Sequence, residues 1–247
     1  MKIKNKDFWE KQDIIATQEV LKNASDFEVF MFEKVKERNF SIGKTELIKV
    51  FGCGTGREMK AIADFFDPIK ITGSNISENM IAKCKENLKL WKIDRFTETV
   101  VGDAKEYNKS ANTFDLVTIL NSMLTYVPNK IDRLKIFKNS FQILKPKATI
   151  IGTVHNQVGA PAKTYYFKFR NIFSLFYGDK VGNRNTGFNG FRVSGYYYTK
   201  KGLIDDLKES GFSSIEVYSL EEFYALNGNY YNRKKGYNNL IFIASKL

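Results

Sequence analysis

The sequence predicts a three-layer α/β fold in which helices cover both faces of a mostly parallel β-sheet. Two observations predict it: short β-rich runs recur over residues 46–154, and a helical pattern separates each run from the next. Parallel strands need a crossover connection, so this alternation is typical of a sheet that is buried on both faces. A chain of 247 residues is long enough for one large domain, and we expect a single domain with insertions.

Each element follows from its own periodicity. Five runs rich in β-branched and aromatic residues are predicted as strands, at 46–51, 69–74, 96–101, 114–120 and 148–154. Three segments with apolar residues at three- and four-residue spacings are predicted as helices, at 58–66, 78–91 and 131–144. The rhythm resumes later with a helix over 200–210, ended by Gly211, and with strands over 213–218 and 240–245.

Two segments stand outside this rhythm. Residues 155–198 carry dense aromatic residues and glycines without a clear period, which indicates an insertion after the fifth strand. Residues 1–40 have the spacing of an amphipathic helix, with apolar residues such as Phe8, Trp9 and Ile14. We expect these first 40 residues to form a helical lid or side wall.

Composition excludes several classes of protein. Hydrophobic residues make up 43% and charged residues 27% of the chain, which is too apolar for disorder. Two cysteines and one histidine are too few for a disulfide framework or a Cys/His zinc site, so no metal is expected. No apolar run reaches the roughly 20 residues that span a bilayer, and the N-terminus lacks a signal-peptide pattern, so we expect a cytoplasmic protein without a membrane partner.

A glycine-rich turn follows the first predicted strand. The pentapeptide Gly-Cys-Gly-Thr-Gly at 52–56 leads directly into the helix that begins near Arg57. Glycines let the backbone approach a ligand and adopt dihedral angles that other residues avoid, while the following helix offers free amides. The turn therefore predicts a nucleotide-like ligand at the carboxyl edge of the sheet. Its spacing differs from the dinucleotide fingerprint, and no Gly-Lys-Ser/Thr follows as in a P-loop.

With this turn the sequence resembles the class I S-adenosylmethionine-dependent methyltransferases, in which a Gly-x-Gly-x-Gly turn wraps the amino-acid end of the cofactor. Four further segments agree with the family's pattern: residues 71–80 at the end of the second strand, 101–104, 114–117 with Asn121, and 144–148. The resemblance implies S-adenosylmethionine as the cofactor. It also implies a Rossmann-like sheet of seven strands in which the last strand is inserted antiparallel.

The resemblance assigns the cofactor site residue by residue. Asn75 stands where the family carries an acidic residue that holds the ribose hydroxyls, and Asp103 stands where an aspartate meets the adenine amino group. For Asp103 the alternative is a local cap of the turn before Lys105. For Asn121 the alternative is a helix cap before Met123. The cofactor-binding residues expected from the resemblance are Gly52, Cys53, Gly54, Gly56, Asn75, Ile76, Met80, Asp103, Ala104 and Asn121.

The sequence departs from the family at two acidic positions. The family usually carries an acid two residues before the first glycine, and this chain has Val50 there. The second departure is Asn75, whose amide is a weaker acceptor than a carboxylate. Loss of both acids is expected to weaken cofactor binding by about 1–3 kcal/mol, on the scale of charged hydrogen bonds.

The acceptor side is predicted from position and residue type. His155, the sole histidine, follows the fifth strand at the ligand edge of the sheet, and we predict that it is the general base. The alternative is a surface histidine or one that satisfies a loop. Tyr196 and Tyr198 are predicted to bind the acceptor, unless they belong to an ordinary strand whose alternate residues face core and solvent.

These predictions divide the single domain into segments. Residues 46–154 form the cofactor-binding core, residues 155–198 recognise the acceptor, and residues 199–247 add a C-terminal helix and strands.

Three functions remain open at this point. The first is transfer of a methyl group to an oxygen or nitrogen atom of a small-molecule acceptor, favoured because the aromatic insertion can close a pocket. The second is methylation of RNA, including a cap guanine, favoured by the net charge of +12 and by aromatic residues able to stack on bases. The third is a non-catalytic methyltransferase-like binding subunit, suggested by Val50 and Asn75. The sequence does not specify an oligomeric state.

Overall fold

Strands and helices alternate along the chain in the computed structural model, which describes residues 4–18, 23–39, 43–108, 111–188, 190–234 and 238–247. The strands in this part of the chain are β1 (Leu47–Phe51), β2 (Lys70–Asn75), β3 (Thr97–Val101), β4 (Phe114–Ile119), β5 (Leu144–His155), β6 (Asn183–Phe188), β7 (Phe191–Tyr196), β8 (Ser213–Ser219) and β9 (Asn239–Ser245). The α-helices are α1 (Asn5–Trp9), α2 (Gln12–Gln18), α3 (Asp26–Asn39), α4 (Arg57–Phe66), α5 (Glu78–Leu90), α6 (Lys130–Ile143), α7 (Pro161–Ile172), α8 (Ser174–Tyr177), α9 (Lys200–Glu209) and α10 (Leu220–Leu226).

Seven strands form one sheet in the order β3-β2-β1-β4-β5-β9-β8. The five strands from β3 to β5 are mutually parallel, whereas β9 runs antiparallel to both of its neighbours. In this register Val50 lies between Gly73 of β2 and Thr118 of β4. The predicted sheet of seven mostly parallel strands, with the last strand inserted antiparallel, is confirmed.

Helices cover both faces of the sheet. On one face, side chains of α3, α4, α5 and α10 pack against alternate strand residues such as Ile48 and Val50. On the other face, α6 and α9 pack against the strand residues that alternate with the first set, including Phe51 and Val117. Alternate residues of a strand point to opposite faces, so strands that are buried on both faces carry apolar residues almost continuously. The three-layer prediction is therefore confirmed.

The described N-terminal helices pack in two different places, and their expected role as a lid or side wall stays a prediction. Helix α3 belongs to a helical layer of the fold, because its Met31, Phe32 and Val35 are fully buried in the core. Only α1 and α2 lie apart from that layer. Their apolar residues pack in a separate cluster with Met80 and Val193, and this cluster consists of Phe8, Ile14, Ile15, Met80 and Val193. The amphipathic pattern of residues 1–40 thus serves two different packing sites.

The insertion is more regular than its sequence predicts. It contains α7, α8 and a β-hairpin in which Asn183 pairs with Tyr196 and Phe188 pairs with Phe191. Strand β7 packs against the short 3-10 helix Met123–Tyr126 and against α1. The insertion therefore returns to the carboxyl edge of the sheet, where it meets the N-terminal helices. No helix within the described ranges combines the length and the apolar character needed to cross a membrane.

Candidate functional site

A cavity of about 460 Å³ opens at the carboxyl ends of β1, β2, β3 and β4. Open α/β sheets bind their ligands at this edge, because the loops that follow neighbouring strands converge there. Eight of the ten expected cofactor-binding residues line the cavity, and these are Gly52, Gly54, Asn75, Ile76, Met80, Asp103, Ala104 and Asn121. The structure thus brings together residues that the sequence placed in four separate segments.

The glycines of the 52–56 turn have different neighbours. All three have positive φ, at 74° for Gly52, 53° for Gly54 and 96° for Gly56. A Cβ atom would lie 2.5 Å from Cγ of Met123 at Gly52 and 3.0 Å from Sγ of Cys84 at Gly56, so these glycines allow close packing. At Gly54 the nearest atom would be Sδ of Met80, 3.9 Å away. Gly54 is therefore the glycine that leaves space for a ligand.

Cys53 and Gly56 do not line the cavity. The Cys53 side chain is buried in the core beside Cys84, and its backbone N–H donates to the carbonyl of Ser74. The hydrogen bond with Cys84 and burial raise the pKa of the Cys53 thiol. Such a thiol is a poor nucleophile, because the thiolate is the reactive form. Both residues shape the turn from behind, and their expected role in cofactor binding stays a prediction.

Asn75 and Asp103 each hold a local turn with one oxygen while they line the cavity. The N–H of Ser77 donates to Oδ1 of Asn75 over 2.9 Å, and the N–H of Lys105 donates to Oδ1 of Asp103 over 3.1 Å. The two roles weighed for Asp103 are thus compatible. Lys105 Nζ also lies 3.5 Å from carboxylate oxygens of Asp103 and Asp132, and these charges raise the pKa of Lys105.

Arg57 is a buried residue of this site that the sequence did not single out. Its guanidinium donates to both carboxylate oxygens of Glu28 and to Oδ1 of Asn121, the last over 3.2 Å. Burial opposes ionisation of Glu28, but the hydrogen bonds and charge of Arg57 outweigh it and hold the pKa of Glu28 below its usual value. The side chain of Asn121 is thereby fixed by a charged pair rather than by a helix cap.

A carboxyl group lies beside Val50, although the strand itself carries none. Val50 is paired in register with Thr118, whose hydroxyl donates to Oε1 of Glu58 in α4. Glu58 is 1% exposed, and its Oε2 has no hydrogen-bond partner among the described residues. Burial raises the pKa of Glu58 to about 8, so the group is mostly protonated at pH 7. Glu58 does not line the cavity, and its protonated carboxyl does not restore the negative charge that Val50 lacks.

His155 lies away from the cavity wall. Its ring is enclosed by Tyr126 and Tyr197, with centroids 6.1 and 5.1 Å away, and only Tyr126 lines the cavity. Burial and the charge of Lys163 lower the pKa of His155 to about 4. The imidazole is therefore neutral at pH 7, but a group with this pKa is a weak base. This placement differs from the position expected for a general base.

Tyr196 and Tyr198 also lie outside the cavity lining. Nε of Arg133 donates to the Tyr198 hydroxyl over 2.8 Å, and that hydroxyl donates to Oδ2 of Asp206 over 3.1 Å. The Arg133 guanidinium lies 3.5 Å from the ring centroid of Tyr196. The two tyrosines therefore attach the insertion to α6 and α9. A buried tyrosine hydroxyl such as that of Tyr198 needs partners of this kind. The expected role of both tyrosines in binding the acceptor stays a prediction.

The remaining wall comes from residues that the sequence did not assign to the site. Trp9 of α1 lies edge-on to Tyr126, with ring centroids 4.9 Å apart, and both rings line the cavity. Glu10 accepts hydrogen bonds from the N–H groups of Glu78 and Asn79, which attaches this helix to the N-terminus of α5. Other lining residues outside the expected set include Asn5, Gln18, Lys105, Met123, Val127, Pro128, Asp132 and Ile136.

Residues 49–147, which contain the glycine turn and most of the cavity, match a family model described as a methyltransferase domain. This segment is therefore similar to methyltransferase domains. Over 104 residues the chain is 28% identical to the protein YqeM of Bacillus subtilis (strain 168), which is named only as a methyltransferase. That match covers 42% of this chain and 40% of YqeM, so it spans about two fifths of the relative's length.

Solved structures resemble this segment together with its flanking helices. A SAM-dependent methyltransferase from Methanosarcina mazei has a TM-score of 0.62 at 20% identity, covering 84% of this chain and 96% of that one. An S-adenosylmethionine-dependent methyltransferase from Clostridium acetobutylicum has a TM-score of 0.62 at 13% identity, with 88% and 89% covered. A phosphoethanolamine N-methyltransferase 2 from Haemonchus contortus, bound to phosphomonomethylethanolamine and S-adenosylhomocysteine, has a TM-score of 0.60 at 17% identity, with 99% and 61% covered. These likenesses establish the fold.

Proposed function

We propose that the chain binds S-adenosylmethionine in the cavity and transfers its methyl group to an oxygen or nitrogen atom of a small-molecule acceptor. One observation carries the proposal: Gly54, the open glycine of the turn, faces the same cavity as Asn75 and Asp103 within a segment that is similar to methyltransferase domains. Methyltransferases with solved structures of this fold include enzymes crystallised with S-adenosylhomocysteine.

The residues of the cavity fit such a ligand. By the family resemblance, the 52–56 turn wraps its amino-acid end, Asn75 meets the ribose and Asp103 meets the adenine amino group. Asn75 and Asp103 each accept a hydrogen bond from a turn with Oδ1, which fixes the side chain. The Nδ2 group of Asn75 is then directed to a ligand, while Oδ2 of Asp103 also lies 3.5 Å from Nζ of Lys105.

The protein's part in the transfer is alignment and exclusion of water. When bound, the cofactor supplies an electrophilic methyl group on its sulfonium. Met123, Trp9 and Tyr126 provide apolar and aromatic walls that orient an acceptor against that group. Because His155 lies behind Tyr126 and has a pKa of about 4, we propose that the acceptor is a neutral amine or an already ionised hydroxyl, which needs no protein base. A proton carried by the methylated amine then passes to water.

A small acceptor is favoured over RNA by the shape of the site. Trp9 and Tyr126, in edge-on contact, form one wall of the cavity, which limits the access of a polymer. The cavity wall also includes an ion cluster of Lys105 with Asp103 and Asp132, in which acidic groups outnumber basic ones. Such a wall does not attract phosphates.

Calorimetric titration with S-adenosylhomocysteine tests cofactor binding. We expect heat of binding for the native chain and none for Gly54→Val, whose side chain occupies the open space at the turn. Gly228→Val is the matched control, because Gly228 also has positive φ, at 70°, and is exposed elsewhere. No heat for the native chain at millimolar ligand would contradict the proposal.

A second experiment tests the acceptor. If cofactor binding is established, we expect transfer of radiolabelled methyl groups to extracts of small metabolites and not to total RNA.

A further inference from the structure

Helices α7 and α8 expose an apolar face that packs against nothing in the described part of the chain. The outward side chains follow one helical stripe, spaced by three or four residues. Ile172 is 76% exposed, Leu175 98% and Phe176 86%. We call this stripe the aromatic face, and its members are Tyr165, Phe169, Ile172, Phe173, Leu175 and Phe176. Contiguous exposed apolar surface of this kind marks an interaction site.

The face belongs to a helix that is firmly attached on its other side. Phe167 is 1% exposed, and its ring centroid lies 5.3 Å from that of Tyr197. Nε of Arg170 donates to the carbonyl of Val181 over 2.9 Å, and the guanidinium lies 3.8 Å from the ring centroid of Tyr177. The inward side chains thus attach α7 to the rest of the fold. The outward apolar side chains make no such contacts with the described residues and are not needed for this attachment.

Basic residues outnumber acidic ones in the insertion that carries this face, and Lys168 in α7 and Lys180 just after α8 are exposed cations. Residues 155–198 contain six basic residues, Lys163, Lys168, Arg170, Lys180, Arg184 and Arg192, and one acidic residue, Asp179, which gives 6 − 1 = +5. Lys168 lies within the stripe, with Nζ 5.9 Å from the ring centroid of Tyr165. Asp179 lies 3.7 Å from Nζ of Lys130, so its charge is offset. The partner of the aromatic face is therefore expected to be both apolar and negatively charged.

We propose that the aromatic face binds the surface of a bilayer rich in anionic lipids. A helix with exposed aromatic and aliphatic residues beside lysines and arginines lies in the membrane interface, with its apolar side chains at the acyl boundary and its cations at the headgroups. A spanning segment is not needed, because such a helix lies parallel to the surface.

Two other occupants agree less well with the same observations. A second copy of this chain in a symmetric contact would bring the basic residues of both copies together, which costs electrostatic energy. RNA would pair with the cations and stack on the aromatic rings, but it offers nothing to aliphatic side chains such as Ile172 and Leu175. Lipid accounts for the aliphatic, aromatic and basic residues together.

The position of the face relates it to the cavity. The insertion leaves β5 at the carboxyl edge of the sheet, and Phe167, Tyr197 and His155 form a continuous set of ring contacts from α7 to that edge. Tyr126, the next ring, lines the cavity. Binding through the aromatic face would therefore hold the ligand edge of the sheet close to the bilayer.

Vesicle sedimentation with the full chain tests the proposal. We expect the chain to bind vesicles of phosphatidylglycerol and phosphatidylcholine mixed in equal parts, and to bind pure phosphatidylcholine at least about tenfold more weakly. Phe169→Ser, Leu175→Ser and Phe176→Ser combined should lower the partition coefficient at least about a hundredfold. Lys168→Gln and Lys180→Gln should each lower it about fivefold.

Matched controls come from α5, which packs against β2 and β3. Leu90→Ser removes an apolar side chain that is 75% exposed, and Lys85→Gln and Lys89→Gln remove exposed charges from the same helix. These variants should bind vesicles as the native chain does. Circular dichroism and thermal unfolding check that every variant is folded, which surface positions should tolerate.

Three results would overturn the proposal. One is native binding that is equal for both vesicle types or is unaffected by the triple serine variant. The second is tight binding of single-stranded RNA, without vesicle binding, that is lost on replacement of Lys168 and Lys180. The third is a dimer in sedimentation velocity that the triple serine variant converts to a monomer, which would assign the face to a second copy.

Discussion

The guanidinium of Arg57 and the carboxylate of Glu28 form a buried two-point ion pair, with Nη1 of Arg57 2.9 Å from Oε2 of Glu28. Their side chains are only 9% and 4% exposed. Arg57 is the first residue after the glycine turn, and Glu28 lies in α3, so the pair joins the N-terminal part of the chain to the turn. Its hydrogen bond to Asn121 extends this connection to the cavity wall.

Glu28→Gln should lower the free energy of unfolding by about 3–5 kcal/mol, because it leaves the buried charge of Arg57 without a counter-charge. Urea denaturation measures this change. Asp64→Asn is the control: it breaks the exposed pair of Lys60 and Asp64 within α4 and should cost less than about 0.5 kcal/mol. Equal effects of the two substitutions would mean that the Glu28 pair contributes no more than a surface pair.

Glu58→Gln should stabilise the protein at neutral pH. The carboxyl has an ordinary pKa of 4.5 and a folded pKa of about 8, so the folded state binds more protons between these values. Stability therefore falls as pH rises from about 4.5 to 8, and glutamine removes this dependence while it still accepts from Thr118. At pH 7 the expected gain is on the order of 2 kcal/mol. Glu33→Gln, at an exposed position of α3, should keep the native pH profile; an unchanged profile in Glu58→Gln contradicts the prediction.

His155→Gln should change stability in acid with little effect on methyl transfer. The ordinary pKa of 6.5 falls to about 4 in the folded state, so the unfolded state binds more protons between these values. Native stability is therefore lost as pH falls from about 6.5 to 4, and the variant should lose this part of the acid dependence. We expect kcat within about threefold of the native value, whereas loss of a general base costs about a hundredfold or more. A loss of that size would restore His155 to the reaction.

Asn75→Asp should tighten binding of S-adenosylhomocysteine. The aspartate keeps an oxygen to accept from the N–H of Ser77 and adds a second oxygen where the amide nitrogen stands. One charged hydrogen bond to the ribose gains about 0.5–1.5 kcal/mol, or about two- to tenfold in affinity by calorimetry. Asn229→Asp makes the same change at an exposed position and should have no effect. Unchanged affinity in Asn75→Asp would mean that this residue does not contact the ribose.

Local patterns predicted most of the sheet, and long-range pairing accounts for the largest errors. The predicted strand 114–120 differs by one residue from Phe114–Ile119. In contrast, β5 begins at Leu144, four residues before the predicted start. The prediction began later because Pro146 and Lys147 are typical of a turn. The backbone N–H of Lys147 instead donates to the carbonyl of Lys246, a partner that is distant in sequence. Pairing between residues so distant in sequence cannot be predicted from a short segment of the sequence.

The hairpin of the insertion carried a signal that was not used. Gly190 has φ of 77° and follows an asparagine in the sequence, and an Asn-Gly pair between two strands is a strong hairpin indicator. The flanking strands lack alternation because glycine and charged residues interrupt them, so their periodicity alone predicts no strand.

The site divides in the same way. Gly54, Asn75 and Asp103 were predicted because their positions follow directly from the ends of strands. The position of Tyr198 outside the cavity was not predicted, because its hydroxyl partners, Arg133 and Asp206, come from two other helices. The pair of Arg57 and Glu28 was missed for the same reason, since no local spacing joins α3 to α4. Strand ends can be predicted from the sequence, whereas the partners of a buried polar group depend on the packed fold.

The antiparallel strand β9 has a consequence for the order in which the protein folds. Within the sheet β8 pairs only with β9, and β9 fills the gap between β8 and β5. Ribosomes add about 5–20 residues per second, so β8 leaves the exit tunnel about a second or more before its sole partner. During that interval the edge of β5 is also open to other chains. The strand that joins β8 to β5 is thus synthesised after both of them, and crowding of nascent chains should promote misassembly at this edge.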